Sequence, residues 1–333
     1  MVVALGTDFS GIDAPLQALR DAGIPVRYVF ASESVEHLRD RLAAERVESD
    51  VANWDLSTLP AVDLYISGPP CQDFSTMGSR QGRSTVRGRL FDFPLAYVRL
   101  KRPRVVLLEN VKGLLHKKAA FDYIVTHLRA SGYAVHTKVL NAQDFGLVQS
   151  RPRLYFVAIR NDLVYKSFKS FHWPTRGCFQ QTLEGIRAGD GALVGGAEQR
   201  KSKLMPKVLA NLNEKALQKG FQDGELTVFN LGASLSFASV PRRGGTPCLA
   251  RKMSPSYAWV RVAKSGRPKT QFLRTGDYLE LQGFPRDYNV GNLSRGQVAR
   301  AMGNTMSVPV LRAILGQLEP FFVRSRPPRS LPG

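Results

Sequence analysis

In the stretch GPPCQDFSTMG, residues 68 to 78, a cysteine follows a glycine and two prolines. A thiolate is a strong, soft nucleophile, and a turn stiffened by Pro69 and Pro70 and opened by Gly68 presents Cys71 at little conformational cost. Cysteines more commonly pack as small buried hydrophobes. Here the polar neighbours Gln72, Asp73 and Ser75, and the glycine-rich basic run STMGSRQGRSTVRGR after them, favour a loop that closes over a substrate. A second reactive candidate is Glu109, directly after the apolar VVLL in RPRVVLLEN. A carboxyl at such a strand end is expected to be buried, which raises its pKa and suits it to donate a proton.

The elements that must position these two groups alternate between strand-like and helix-like patterns, as in a doubly wound α/β sheet. MVVALGTDF, VRYVFASE, VDLYISG, RPRVVLLEN and RLYFVAIR read as strands. DAPLQALRDAGI, SVEHLRDRLAAER, LFDFPLAYVRLK and AFDYIVTHLRASG read as helices, the first with Asp13 as its cap and Pro15 in its first turn. Ligands in such sheets bind beyond the carboxyl ends of the strands. Four segments fall there: DFSGIDAP, the ASE ending at Glu33, GPPCQ, and the LLEN that contains Glu109. A strand, a tight glycine turn, a helix and an acid some twenty residues on suits a nucleoside-containing cofactor. The absence of a full G-x-G-x-x-G disfavours a nicotinamide dehydrogenase.

After about residue 160 glycines cluster, short basic segments dominate and periodicity weakens. Regular patterns return in TGDYLELQGFP and in SRGQVARAMGNTMSVPVLRAILGQL, the latter read as a helix. The expected organisation is an α/β domain over 1–160, a basic and less regular domain over 161–272 and a C-terminal return to the first domain over 273–320. A disordered tail over 321–333 completes it.

Charge narrows the partner. The chain of 333 residues carries a formal net charge of +20, and residues 161 to 273 hold 18 Lys and Arg against 7 Asp and Glu. A third of the chain thus carries more than half of the excess, which favours a polyanion such as nucleic acid. Three cysteines without C-x-x-C pairing argue against a disulfide framework or a structural zinc site and point to a reducing compartment. The N-terminus is a poor signal peptide and no apolar run reaches bilayer length, so a cytoplasmic protein without a membrane partner is expected.

DFSGID, PPCQDFS, ENVKGLL, LNAQDFGLVQSRPRLYFVAIR, LQGFP and GNTMSVPV resemble, in order and at compatible spacing, the successive motifs of the cytosine-5 DNA methyltransferase family. The resemblance covers roughly residues 5 to 160 and 273 to 315. It implies a Rossmann-like S-adenosylmethionine-dependent methyltransferase sheet with a second, smaller, irregular target-recognition domain. It also implies transfer of a methyl group from S-adenosyl-L-methionine to C5 of a flipped cytosine in duplex DNA, with S-adenosyl-L-homocysteine as product and no metal. Cys71 would add to C6, Glu109 would bind the N3 and amine edge, and Arg151 would contact the target base, with Gln149 and Arg153 in support.

The same resemblance assigns Phe9, Ser10, Gly11, Ile12 and Asp13 to the loop beside the methionine moiety, Glu33 to the ribose and Asp55 to the adenine edge. Gly68, Pro70 and Leu90 would line the pocket near Cys71, and Asn304 would reach in from the C-terminal helix. Gln72 and Ser75, with Arg251, Lys252 and Arg261 of the basic segment RKMSPSYAWVRVAKSGRPK, would meet DNA, Tyr257 and Trp259 interleaving with the charges. A monomer in a bacterial or phage-infected cell is expected, with a cognate restriction endonuclease as a candidate partner. Three positions depart from the family pattern: Asp13 stands where a second glycine is usual, Ser34 where many members carry an aromatic ring, and no Thr-Pro-x-Glu precedes LQGFP. Two rivals stay open, a transfer-RNA cytosine-5 methyltransferase and a catalytically dead DNA-binding relative.

Overall fold

The computed structural model describes residues 2–49, 51, 55–70, 90–167, 170–177, 180–188, 205–234, 238–250 and 256–322. The chain forms two compact units. The first comprises residues 1–140, 152–175 and 310–333, and the second comprises 141–151 and 176–309.

Seven strands build the first unit in the order β3-β2-β1-β4-β5-β7-β6. They are β1 (Val3–Asp8), β2 (Val26–Ser32), β3 (Arg46–Glu48), β4 (Leu64–Ser67), β5 (Val105–Val111), β6 (Tyr133–Asn141) and β7 (Pro152–Arg160). The pairs β2/β3, β1/β2, β1/β4 and β4/β5 are parallel, and β7 runs antiparallel to β5. A parallel sheet is covered on both faces, so its strands read as near-continuous apolar runs. The runs VVLL and LYI are accordingly sealed from solvent. Gly6 permits the closest packing here, because a Cβ there would stand 2.3 Å from the Phe30 ring. That ring in turn packs on Tyr97, and Tyr97 on Tyr65 with centroids 4.5 Å apart.

Strand order reverses between β1 and β4. The crevice of a doubly wound sheet opens at the carboxyl ends of two such strands. The loop after Asp8 and the turn after Ser67 both leave from this point. Helix α1 (Ala14–Asp21) follows the first loop, and α3 (Asp92–Lys101) and α4 (Lys118–Ala130) flank β5 in sequence.

Two expected elements differ. The helix expected over SVEHLRDRLAAER is a single turn, α2 (Glu36–Arg39), after which Arg46–Glu48 pairs as an edge strand with Phe30–Ser32. Main-chain pairing to β2 outweighs the modest helical propensity of those residues. The helix expected over SRGQVARAMGNTMSVPVLRAILGQL is two, α9 (Arg295–Asn304) and α10 (Val308–Phe322). Thr305 is extended between them, at φ −72° and ψ 145°. Strands β3 and β6 were not among the expected elements.

The second unit carries an antiparallel sheet, β10-β9-β8, from β8 (Leu226–Asn230), β9 (Tyr257–Arg261) and β10 (Lys269–Phe272). Helix α7 (Met205–Gln218) packs Val208, Leu212 and Ala216 against Phe229, Ala258 and Val260 of this sheet. Helix α8 (Thr275–Leu281) is tied to β9 by Trp259, whose indole N–H donates to Asp277 at 2.8 Å. Short α5 (Asn161–Ser167) belongs to the first unit and α6 (Leu183–Ala188) to the second. Among the described residues no helix is long and apolar enough to cross a membrane.

Candidate active site

In the first unit, the loop between β1 and α1 is held from below by carboxylates and hydroxyls. Phe9, Gly11 and Asp13 all have positive φ, at 53°, 58° and 65°. This conformation costs little for glycine and is tolerated by aspartate. Glu33, just past β2, accepts the Gly11 N–H on one carboxylate oxygen at 2.8 Å and the Val35 N–H on the other at 2.9 Å. The acid expected to face a ribose is therefore oriented by two backbone donors while each oxygen keeps a further acceptor site. Ser10 donates its backbone N–H to Ser32 O at 2.8 Å, and Ile12 is buried.

Asp13 occupies the residue before α1, yet its side chain makes no capping bond. The left-handed backbone turns the carboxylate inward, where the Tyr28 hydroxyl donates to it at 2.7 Å. Tyr28 also bonds the Thr7 hydroxyl, which bonds that of Ser10, each at 2.6 Å. Burial pushes the Asp13 carboxyl up to about 6, against the opposing pull of Tyr28, Arg20 and Arg41. Asp8, the last residue of β1, lies deeper. Burial pushes it up to about 7, although the hydroxyls of Tyr65 and Ser32 donate to it. Ser32 also accepts the Phe9 N–H at 3.3 Å. The sequence reading passed over Asp8 and Tyr28; an aspartate closing an otherwise apolar strand was the available signal.

Asp55 is exposed. Its Oδ1 accepts the backbone N–H and the hydroxyl of Ser57, at 2.9 and 2.6 Å, which lowers its pKa. Gly68, Pro70 and Leu90 are half-buried. Cys71, Gln72 and Ser75 lie outside the described residues, as do Arg251, Lys252 and residues 323–333 of the expected tail, whereas Phe321 and Phe322, also expected there, are buried at the end of α10.

Glu109 lies within β5, which continues two residues beyond it, and is 7 % exposed. The guanidinium of Arg153 on β7 stands 3.3 Å from its carboxylate, a cation that offsets part of the cost of burying the anion. Antiparallel register explains the meeting, since Glu109 pairs with Tyr155, two residues along β7 from Arg153. The next residue, Asn110, donates its side-chain amide to Pro69 O at 3.1 Å, and its own Oδ1 accepts the Val111 N–H. Asn110 thereby ties the root of the cysteine-bearing turn to the strand that carries Glu109. Its place in LLEN was visible in the sequence, but its task was not.

Within the second unit Arg151 is 2 % exposed and its guanidinium is occupied by main chain. It donates to Leu249 O at 3.1 Å, Gly303 O at 3.2 Å and Thr305 O at 2.7 Å, with Cys248 Sγ at 3.5 Å. Gln149 is fully buried, donating to Leu281 O at 2.7 Å and accepting the Leu249 N–H at 2.9 Å. Of the two arginines expected as base contact and support, Arg151 braces its own unit and Arg153 stands beside Glu109. Asn304 is exposed at the end of α9. Arg261, half-buried at the end of β9, donates to Gly224 O at 2.9 Å. Tyr257 and Trp259, expected to interleave with surface charges, are buried, the Tyr257 hydroxyl donating to Cys248 O at 2.7 Å. β9 is central in its sheet, and both of its faces are covered.

The chain is of the doubly wound α/β class, with a carboxylate-held glycine loop at its switch point and, on the strand beyond β4, a buried acid beside an arginine. The family description "C-5 cytosine-specific DNA methylase" matches residues 8–320, and the chain belongs to this family of DNA cytosine-5 methyltransferases. It is 29% identical to the Type II methyltransferase M.NlaX of Neisseria lactamica, over 93% of this chain and 94% of that protein. It is 30% identical to M.NgoBI of Neisseria gonorrhoeae, over 86% and 84% respectively. Among solved structures, the Entamoeba histolytica methyltransferase EhMeth superposes with a TM-score of 0.69 at 15% identity, covering 96% of this chain and 98% of that one. At that identity the likeness shows a shared fold.

Proposed function

We propose that this enzyme methylates C5 of a cytosine flipped out of a specific duplex DNA sequence, through a covalent bond between Cys71 and C6 and with S-adenosylmethionine as methyl donor. The observation that carries the reading is the conjunction on β5: Glu109 is buried beside Arg153, and Asn110 holds Pro69 O two residues before Cys71. Type II relatives support a restriction-modification role, with a cognate endonuclease sharing the target.

The donor set suits the cofactor. Glu33, fixed by two N–H groups, offers acceptors for vicinal ribose hydroxyls, and exposed Asp55, held by Ser57, offers one for an adenine amine. The backbone of Phe9 to Asp13 would flank the methionine moiety. When bound, S-adenosylmethionine supplies the electrophilic methyl group that C5 accepts.

The chain's own residues do the rest. Cytosine C5 is a poor nucleophile until the Cys71 thiolate adds to C6, which moves the electron pair of the C5–C6 double bond onto the ring. Glu109, entering the step protonated, donates to N3 and accepts from the amine, taking up the negative charge that gathers there, and Arg153 stabilises the carboxylate that this leaves. Arg151 keeps the second unit's Leu249, Gly303 and Thr305 segments in register. Loss of the C5 proton to a base then restores the double bond and expels the Cys71 thiolate. Extrusion of the base is required because stacking hides C6.

Duplexes carrying 5-fluorocytosine test the reading, since fluorine cannot leave C5 as a proton does. A denaturant-stable adduct is expected with the wild type and none with Cys71→Ala. Methylation of ordinary duplex without any trapped adduct would overturn the covalent route. Methylation of matched RNA but not DNA would replace the substrate.

A further inference from the structure

The second unit contains two adjoining hollows, of about 410 and 340 Å³. Gln143 and Arg242 line both. The first also holds Asp144, Arg176 and Arg243. Two of its three arginines are engaged: Arg176 lies 3.4 Å from Asp144, and Arg243 meets both oxygens of Glu225 at 2.9 and 3.1 Å. Arg242 is exposed and has no acidic partner among the described residues.

Arg242 is also presented on a fixed turn. The Gly245 N–H bonds Arg242 O at 3.0 Å, and Gly244 supplies φ +69°. Thr246 then clamps the turn to the Gln149 segment, donating to Val148 O at 2.8 Å and accepting the Ser150 N–H at 3.2 Å. Packing beneath is tight, because a Cβ at Gly245 would stand 3.0 Å from the Gln143 amide nitrogen and 3.3 Å from two carbonyl oxygens. That amide nitrogen donates to Val148 O at 3.3 Å, which leaves the Gln143 carbonyl oxygen as an acceptor.

A guanidinium donor next to an amide acceptor matches the major-groove edge of a G·C pair: guanine offers O6 and N7 as acceptors, and the paired cytosine offers its N4 amine. We infer that Arg242 reads one guanine of the target sequence, with Gln143 accepting from the cytosine paired to it, so that this position of the site is fixed as G·C. The inference rests on the proposed duplex DNA substrate and adds to it a specificity-determining residue.

The test is the methylation profile of a randomised duplex library, read at single-base resolution for wild type, Arg242→Ala and Arg242→Lys. Arg242→Ala should relax discrimination against non-guanine at one position by about 10-fold or more, leaving the other positions unchanged. Arg242→Lys should keep part of that preference. Replacing the guanine by 7-deazaguanine should slow the wild type and leave Arg242→Ala unaffected. A uniform loss across all sequences with a shallower salt dependence would instead make Arg242 a phosphate contact and overturn the inference, as would an unchanged profile. Wild-type inactivity on every duplex would overturn the proposed function as well, which separates the two failures.

Discussion

Asp8 in the first unit and Arg151 in the second are almost equally sealed from solvent, and their charges are settled in opposite ways. Asp8 has hydroxyl donors, and burial moves its carboxyl to about 7, where the neutral form competes at ordinary pH. Arginine cannot shed its proton in proteins, so the two terminal nitrogens of Arg151 donate to three carbonyl oxygens instead. The layer under the β1–α1 loop is therefore tuned by protonation, whereas the core of the second unit is pinned by a permanent cation.

The strongest way to break this contrast is Arg151→Met. It removes the cationic donor from three carbonyl oxygens, of which Thr305 O keeps the Gln282 amide at 3.3 Å, and the loss should be about 3–5 kcal/mol, read from urea unfolding. An unchanged midpoint would mean that the brace is decorative.

Asp8→Asn tests the other side. The folded carboxyl lies at about 7, above an unfolded 3.8, so the native state holds the proton more tightly. Wild-type stability should then fall as pH rises from about 4 to about 7 and level off beyond. Asparagine removes that term: at pH 8 the variant should gain at most about 4 kcal/mol, from about three pH units at about 1.4 kcal/mol each. Asp13, raised from 3.8 to about 6, should leave a smaller decline below pH 6 in the variant. Melting temperatures from pH 4 to 8 decide it, and parallel curves for the two proteins would refute the account.

A smaller effect sharpens the picture further. Tyr28→Phe deletes the donor to Asp13 and the partner of Thr7, for a loss of about 1–2 kcal/mol. Because Tyr28 pulls the Asp13 value down, its removal should also steepen the decline in stability above pH 5. Differential scanning calorimetry at pH 5 and 7 measures both.

The sheet was legible where burial makes composition speak. VALGTD and VVLLENV are largely apolar because parallel strands are covered on both faces, and RLYFVAIR, although antiparallel to β5, is buried within the same sheet. Edge strand β3 was not, because Arg46-Val-Glu has a three-residue pattern that only its pairing with β2 defines. Motif order singled out Glu109 and both arginines. The division of labour between Arg151 and Arg153 depends on acceptors at residues 249 and 303, 98 and 152 positions away, and local spacing carries no trace of them. Tyr257 and Trp259 illustrate the same limit, since basic neighbours suggested a surface and a central strand buried them. Arg242 went unremarked because one arginine in a basic segment stands out only once its neighbours are seen to be paired.

The grip of Arg151 has a consequence for which exchanges leave its anchorage intact. Its oxygen acceptors are main-chain atoms, which every amino acid supplies alike. The side chains at 249, 303 and 305 can therefore change without removing an acceptor, so the brace depends on the path of the backbone there and not on the identity of the residues.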